Sequence, residues 1–384
     1  MKIIVYHIGA RDYYSIGEFF SKRNLLLCLI TDYWKRSKST FFTNKFSRRF
    51  NKNIQSNQII SYSILQIFFV EVCIKLMSNK FRIWNFTGNY FTNFALKKIL
   101  NKIDSTEKIL LWGYTGGNLK ILKRLKKNQN VFFLHNQIDP GIVYYDIENG
   151  ENSTYKEQFL KNIQEEWKLA DAILVNSEFS KKCLEKYQVN ADKIIVVPLI
   201  YNVTSNIKKK HFNPVLTIGF VGNINEMKGF PIFLDVAKQL KGICNFTAIG
   251  TSHFSENYID NASEFIKFTG HMSMKNLSVA YQNMDVLVFP TQCDGFGMVQ
   301  LEAMSYGIPV IASPNCATVV QENSNGFIED DANSIVKRIL YLNENREILK
   351  QFSENALLRI NDYSEANFEK ILSNELLKFN IEIK

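Results

Sequence analysis

The chain has 384 residues, 46% of them hydrophobic, and a formal net charge of +9 at neutral pH. That length favours two domains, and that composition excludes a disordered, collagenous or disulfide-stapled class. The excess of cations asks for an acidic partner: a phosphorylated ligand, an anionic membrane surface or nucleic acid. Cys28, Cys73, Cys183, Cys244, Cys293 and Cys316 are scattered with no Cys-x-x-Cys pair. Neither a disulfide framework nor a zinc site is therefore predicted, and a reducing cytoplasm fits.

In chain order, Lys2 to Ile8 predicts a buried strand, too short and too interrupted for a signal peptide. It ends at Gly9-Ala10-Arg11, which reads equally as a plain turn or as a substrate loop. Leu25 to Thr31 predicts a second strand. Between Trp34 and Arg82 the cations Lys35, Arg36, Lys38, Lys45, Arg48, Arg49, Lys52, Lys75, Lys80 and Arg82 face one acid, Glu71. Trp34, Phe41, Phe42, Phe46, Phe50, Phe68 and Phe69 are interleaved with them. This stretch reads as a solvated basic face over core aromatics or as a contact with an anionic membrane surface. No nucleic-acid motif accompanies it, so no nucleic acid partner is expected. Ile59 to Met77 is the longest apolar run, and Ser61, Ser63, Gln66, Glu71 and Lys75 dilute it too much for a membrane span.

Ile109 to Trp112 predicts a strand entering Gly113-Tyr114-Thr115-Gly116-Gly117, and Val131 to Leu134 the next, with His135 at its carboxyl end. In open α/β sheets ligands gather at those ends, so His135 is either a hydrogen-bonded structural histidine or a site residue. Tyr155, Phe159, Ile163 and Trp167 share one helix face, and Ser177 caps a helix after the strand at Ala172 to Val175. Lys193 to Pro198 is the last strand of this half. The expected boundaries are a first domain 1–203, a polar linker 204–213 carrying Lys208-Lys209-Lys210, a second domain 214–363 and a final helical segment 364–384.

The pattern restarts at Leu216 to Gly222, a buried strand and then a glycine turn, so two Rossmann-like domains are predicted. Gly222-Asn223-Ile224-Asn225-Glu226-Met227-Lys228-Gly229 follows. Later, Asp285 to Phe289 runs as a strand into Pro290, the turn Asp294-Gly295-Phe296-Gly297, the helix Met298 to Met304 and the strand Val310 to Ala312. A helix N-terminus behind a glycine turn suits a phosphate, and Glu302 lies about two helical turns beyond Asp294.

The stretch Phe289 to Ser313, with its Gly-Phe-Gly, its second acid in Glu-Ala-Met and its Gly-x-Pro, resembles the donor signature of the retaining glycosyltransferases of family four, the group-1 glycosyltransferases. The segment Gly222 to Gly229 resembles that family's Gly-Arg-x-x-x-x-Lys-Gly. The resemblance is dense from Gly222 to Gly326 and thinner before Asp171. It implies the GT-B fold, an α/β chain of two Rossmann-like domains whose parallel sheets face across a cleft. It also implies a last helix that crosses back to the first domain, and transfer of a sugar from a nucleoside diphosphate sugar to a glycan or lipid-linked acceptor without a metal or other cofactor. By the same resemblance Gly222, Asn223, Lys228, His271, Asp294, Gly295, Phe296, Gly297, Met298 and Glu302 bind the donor. Gly9, Ala10, Arg11 and His135 stand on the acceptor side, and Asp294, His135 and Lys228 are the catalytic candidates. Asn223 stands where the family has Arg, and Asp294 where it has Glu. Those departures keep two rivals open: a sugar-nucleotide-binding partner subunit without turnover, and a sugar-nucleotide epimerase on the same scaffold. Synthesis of cell-surface polysaccharide at the inner face of a membrane is the expected setting.

Overall fold

The computed structural model describes residues 1–35, 49–103, 106–143, 154–201 and 211–383. The expected cations Arg36, Lys38, Lys45 and Arg48, the aromatics Phe41, Phe42 and Phe46, and linker residues 204–210 lie outside them.

The first sheet holds β1 (Lys2–His7), β2 (Leu26–Thr31), β3 (Ile59–Ser61), β4 (Ile109–Tyr114), β5 (Val131–Gln137), β6 (Ala172–Val175) and β7 (Ile194–Val196). Their spatial order is β3-β2-β1-β4-β5-β6-β7, and every pairing is parallel. Helices cover both faces, which is why β4 is buried at all six positions and reads as an unbroken apolar run. Ile4, Tyr6, Phe91 and Trp167 fill one side of the sheet, and Ile3, Val5, Phe19 and Trp112 fill the other.

The second sheet holds β8 (Thr217–Val221), β9 (Asn245–Ile249), β10 (Lys267–Phe268), β11 (Val286–Phe289), β12 (Val310–Ala312) and β13 (Gly326–Ile328). Its order is β10-β9-β8-β11-β12-β13, again all parallel. The predicted α/β architecture of two Rossmann-like domains is thus present. In each sheet the strand order reverses beside the first strand, at β1/β4 and at β8/β11. That crevice at the carboxyl ends is where such sheets take ligands.

The last helix, Glu365–Leu377, packs on the first domain. Phe368, Leu372 and Leu376 enter its core, and the rings of Phe19 and Phe368 meet edge to face at 5.0 Å. Arg23 pairs with Glu369 at 2.6 Å and Lys22 with Glu365 at 2.7 Å. The chain crosses between domains at Tyr201 and again at Tyr363, where the Tyr201 N–H donates to the Tyr363 carbonyl at 2.8 Å.

The apolar run from Ile59 resolves into β3 and a helix, Ile64–Lys75, opened by a capping box of Ser63 and Gln66. Among the described residues no helix is long and apolar enough to cross a membrane.

Candidate functional site

A cleft of about 440 Å³ opens where the two reversal points meet. His7 at the end of β1, with Ile8 and Arg11 just after it, reaches the cleft, as do Tyr114 at the end of β4 and Thr115, Gly116 and Gly117 in the turn that follows. Lys228 comes from the loop after β8, and Asp294 and Gly295 from the loop after β11. Trp84, Thr87 and Phe91, on the helix Lys80–Leu100, close one side.

Both second-domain loops are fixed by close backbone approach. A Cβ on Gly229, which has φ +71°, would run into the Pro290 carbonyl, so only glycine lets the two loops touch. The Gln292 N–H and the Thr291 hydroxyl both donate to the Met227 carbonyl, at 2.8 and 3.1 Å. Lys228 is thereby aimed at Asp294, with Nζ 2.5 Å from Oδ2. The other carboxylate oxygen, Oδ1, accepts the Phe296 N–H at 3.1 Å, which sets the turn.

Gly295 is the contact point between domains. A Cβ there would collide with the Ile138 carbonyl of the first domain. Its own carbonyl accepts the Ser177 hydroxyl at 2.6 Å and the Ser180 hydroxyl at 3.3 Å. Ser177 also caps the helix Glu178–Lys186, as the sequence implies, by accepting the Ser180 N–H at 3.1 Å.

On the first-domain side, Glu166 holds the turn after β4. Its buried carboxylate accepts the N–H groups of Gly116, Asn118 and Leu119 at 3.1, 2.8 and 3.1 Å. Burial pushes its pKa up to about 7, against those three hydrogen bonds, which pull it down. His7 is also buried, and its Nδ1–H donates to the Gly9 carbonyl at 2.8 Å. Burial lowers its pKa to about 3, so it meets the cleft as a neutral ring. The Gly9 N–H and the Arg49 guanidinium share Asp32 Oδ1, at 3.0 and 2.7 Å, which ties the loop after β1 to the neighbouring strand.

His135 does not reach the cleft, and the expectation that it faces the reacting centre is corrected. β5 runs on to Gln137 because His135 pairs with Ile173 on one side and Gly113 on the other. The side chain is therefore inside the sheet layer, 0% exposed. It accepts from Asn118 Nδ2 at 2.9 Å and lies 3.1 Å from Gln137 Oε1. Burial lowers its pKa to about 4. It supports the site at one remove, because Gln137 donates to Asp139 at 2.5 Å and Asp139 lines the cleft.

Of the other expected residues, Arg11 lines the cleft while Gly9 and Ala10 lie behind it. Lys228, Asp294 and Gly295 line it; Gly222, Asn223, His271, Phe296, Gly297, Met298 and Glu302 do not. Asn223 and His271 are exposed. Phe296 is buried, edge to face with Tyr363 at 5.8 Å. Gly297 caps the helix Met298–Met304, on which Glu302 accepts the Tyr281 hydroxyl at 2.8 Å. Gly222 ends β8, against Gly250. The sequence reading missed His7, Tyr114, Thr115 and Asp139; their places after β1, β4 and β5 were the available signal. Among the described residues, no three His, Cys, Asp or Glu side chains cluster closely enough to hold a metal ion.

Residues 203–359 match the family model described as "Glycosyl transferases group 1". A Klebsiella pneumoniae protein named as an uncharacterized 41.2 kDa protein in the cps region is 31% identical over 211 residues, 49% of this chain and 58% of that protein. A processive diacylglycerol alpha-glucosyltransferase of Acholeplasma laidlawii is 25% identical over 170 residues, 40% of this chain and 51% of that one. The chain thus spans a little over half the length of these two relatives. Among solved structures, TarM from S. aureus superposes with a TM-score of 0.72 at 13% identity, over 99% of both chains. HepE of Anabaena in complex with UDP-glucose superposes with a TM-score of 0.64 at 13% identity, over 98% of this chain and 99% of that one.

Proposed function

We propose, for a chain whose residues 203–359 are those of the group-1 glycosyl transferases and whose fold is GT-B, that it transfers a sugar from a nucleoside diphosphate sugar to a hydroxyl of a glycan or lipid-linked acceptor, with retention at the anomeric carbon. The carrying observation is that Lys228 and Asp294 face Arg11, Tyr114 and Asp139 across one cleft built from both reversal points. Lys228 neutralises the charge that grows on the departing diphosphate. Asp294 fixes the Lys228 ammonium and accepts hydroxyls of the transferred sugar; one methylene shorter than Glu, it sets the reach to that sugar. Asn223 supplies a hydrogen bond but no charge, so the cationic work falls on Lys228 and no metal is required. Arg11 and the turn Tyr114 to Gly117 take the acceptor. The HepE complex supports the donor class and the diacylglycerol enzyme supports a lipid acceptor.

Donor consumption by the purified protein, screened over sugar nucleotides with and without EDTA, tests this reading. Transfer or slow hydrolysis that survives EDTA is the expected result. Loss in EDTA with recovery in Mn²⁺ would remove the metal-free mechanism. No consumption would favour a partner subunit, and an isomeric sugar nucleotide would favour an epimerase.

We infer from the family resemblance that Glu302, which accepts the Tyr281 hydroxyl and stands on the helix behind the Gly295–Gly297 turn, takes the ribose hydroxyls of the donor. Glu302→Ala is expected to weaken donor binding about tenfold or more, since a charge-assisted hydrogen bond contributes roughly 1.5–3 kcal/mol. Calorimetry giving the wild-type affinity for a folded variant would exclude Glu302 from the site.

A further inference from the structure

The helix Ile64–Lys75 has no buried residue, although nine of its twelve side chains are apolar. Ile64, Leu65, Phe68, Phe69, Val72 and Leu76 just beyond it are all exposed, Leu65 to 81% and Leu76 to 80%. At 3.6 residues per turn they lie within an arc of roughly 140°, and Lys75 is the single charge among them. The opposite face, with Ile67 and Val70, packs on the core of the first domain. An apolar surface of this size on a water-soluble monomer marks a contact.

We propose that this helix is inserted in the headgroup–acyl boundary of an anionic bilayer, lying in its plane, and holds the cleft at the lipid surface. Twelve residues make a helix of about 18 Å, against a hydrocarbon core of about 30 Å. It cannot cross the bilayer but can lie in it, with its apolar face down. Charge selects the occupant. Lys75, Lys80 and Arg82 stand on or just beyond the helix, and Glu71 is the one acid between Ile64 and Arg82. A second copy of this chain would bring those cations against their own images; anionic headgroups complement them. The next helix, Lys80–Leu100, joins this face to the cleft: its Phe86 and Tyr90 pack on Phe69, at 6.4 and 5.5 Å, while its Trp84, Thr87 and Phe91 line the cleft. The inference deepens the proposed lipid-linked acceptor and rests on it for purpose, but lipid binding is measured without turnover. The weight falls on apolar burial rather than on the cations, and that distinguishes insertion from electrostatic adsorption.

Flotation of the full chain with phosphatidylcholine vesicles, with and without phosphatidylglycerol, tests it. The wild type is expected to float with the anionic vesicles and to keep most of that binding in 1 M salt, where the Debye length is about 3 Å and headgroup attraction is screened. The variant I64S/L65S/F68S/L76S is expected to float at least tenfold less, with an unchanged thermal melt and unchanged vesicle-free donor consumption. Complete release of the wild type by salt would overturn insertion, as would equal flotation of the variant. A wild-type dimer that ignores vesicles and becomes monomeric in the variant would overturn it in favour of a second copy. Flotation that behaves as expected from a protein that consumes no sugar nucleotide would sustain this proposal and defeat the proposed function.

Discussion

Lys228→Ala is expected to lower turnover roughly 10²–10³-fold, the usual consequence of removing one preorganised group aimed at charge that develops in the transition state. Three observations make the effect large. Among the described residues Lys228 is the one cation that the second domain brings to the cleft, Arg11 standing on the first-domain side; its backbone is locked by Gly229 against Pro290, and Asn223 carries no charge. Because the charge it meets grows as the diphosphate departs, kcat should fall much more than the donor Kd rises. Lys228→Arg should restore part of the rate. Single-turnover kinetics on the folded variants decide the matter: a loss of less than about threefold in kcat would mean that another group bears the leaving charge.

The second large effect is on stability and belongs to Glu166. The carboxyl, ordinarily at 4.5, is raised to about 7 in the folded chain by burial. The folded state therefore prefers the proton. The stabilising contribution is complete below about pH 4.5 and is lost as the pH rises through 7. At about 1.36 kcal/mol per unit, the swing is on the order of 3 kcal/mol. His7 and His135 act in the opposite direction: with folded values of about 3 and about 4, their contribution is present above 6.5 and lost as the pH falls. The quantity to read is thus the difference between wild type and Glu166→Gln, in which the His7 contribution cancels; His135, whose Nδ1 lies 3.7 Å from Glu166 Oε2, is coupled to the substitution, and Glu166→Gln in a His135→Gln background separates the two. Denaturant unfolding at pH 5 and pH 8 should show wild type gaining about 3 kcal/mol on the variant at the lower pH. A difference independent of pH would show that the carboxyl titrates alike folded and unfolded.

The fold was legible in the sequence because each domain opens with a buried strand and a glycine turn. The two second-domain loops that reach the cleft were legible because their pattern is local. Lys228 lies within one loop and Asp294 within another, and each loop is spelled out by glycines that tight backbone contacts require. His135 was misread because strand ends are set by pairing. Two neighbouring strands carry β5 three residues past Leu134, and nothing within the sequence of β5 records that. His7 and Tyr114 were passed over because they look like ordinary strand residues; the cleft appears only when the second domain is set opposite. The run holding the helix Ile64–Lys75 read only as too dilute for a membrane span, since an apolar face that meets solvent and one that meets protein have the same composition.

The two chain crossings at Tyr201 and Tyr363 run side by side and are hydrogen-bonded to each other. A single strand between bodies permits bending and twisting alike, whereas two tied strands leave one easy rotation, about the line that joins them. A hinge there would have one axis, as a door has one pin. The Ser177 hydroxyl on the Gly295 carbonyl is the latch, and it is fastened to the donor turn itself. Any parting of the two domains about that line would therefore detach the turn after β11 from the first domain.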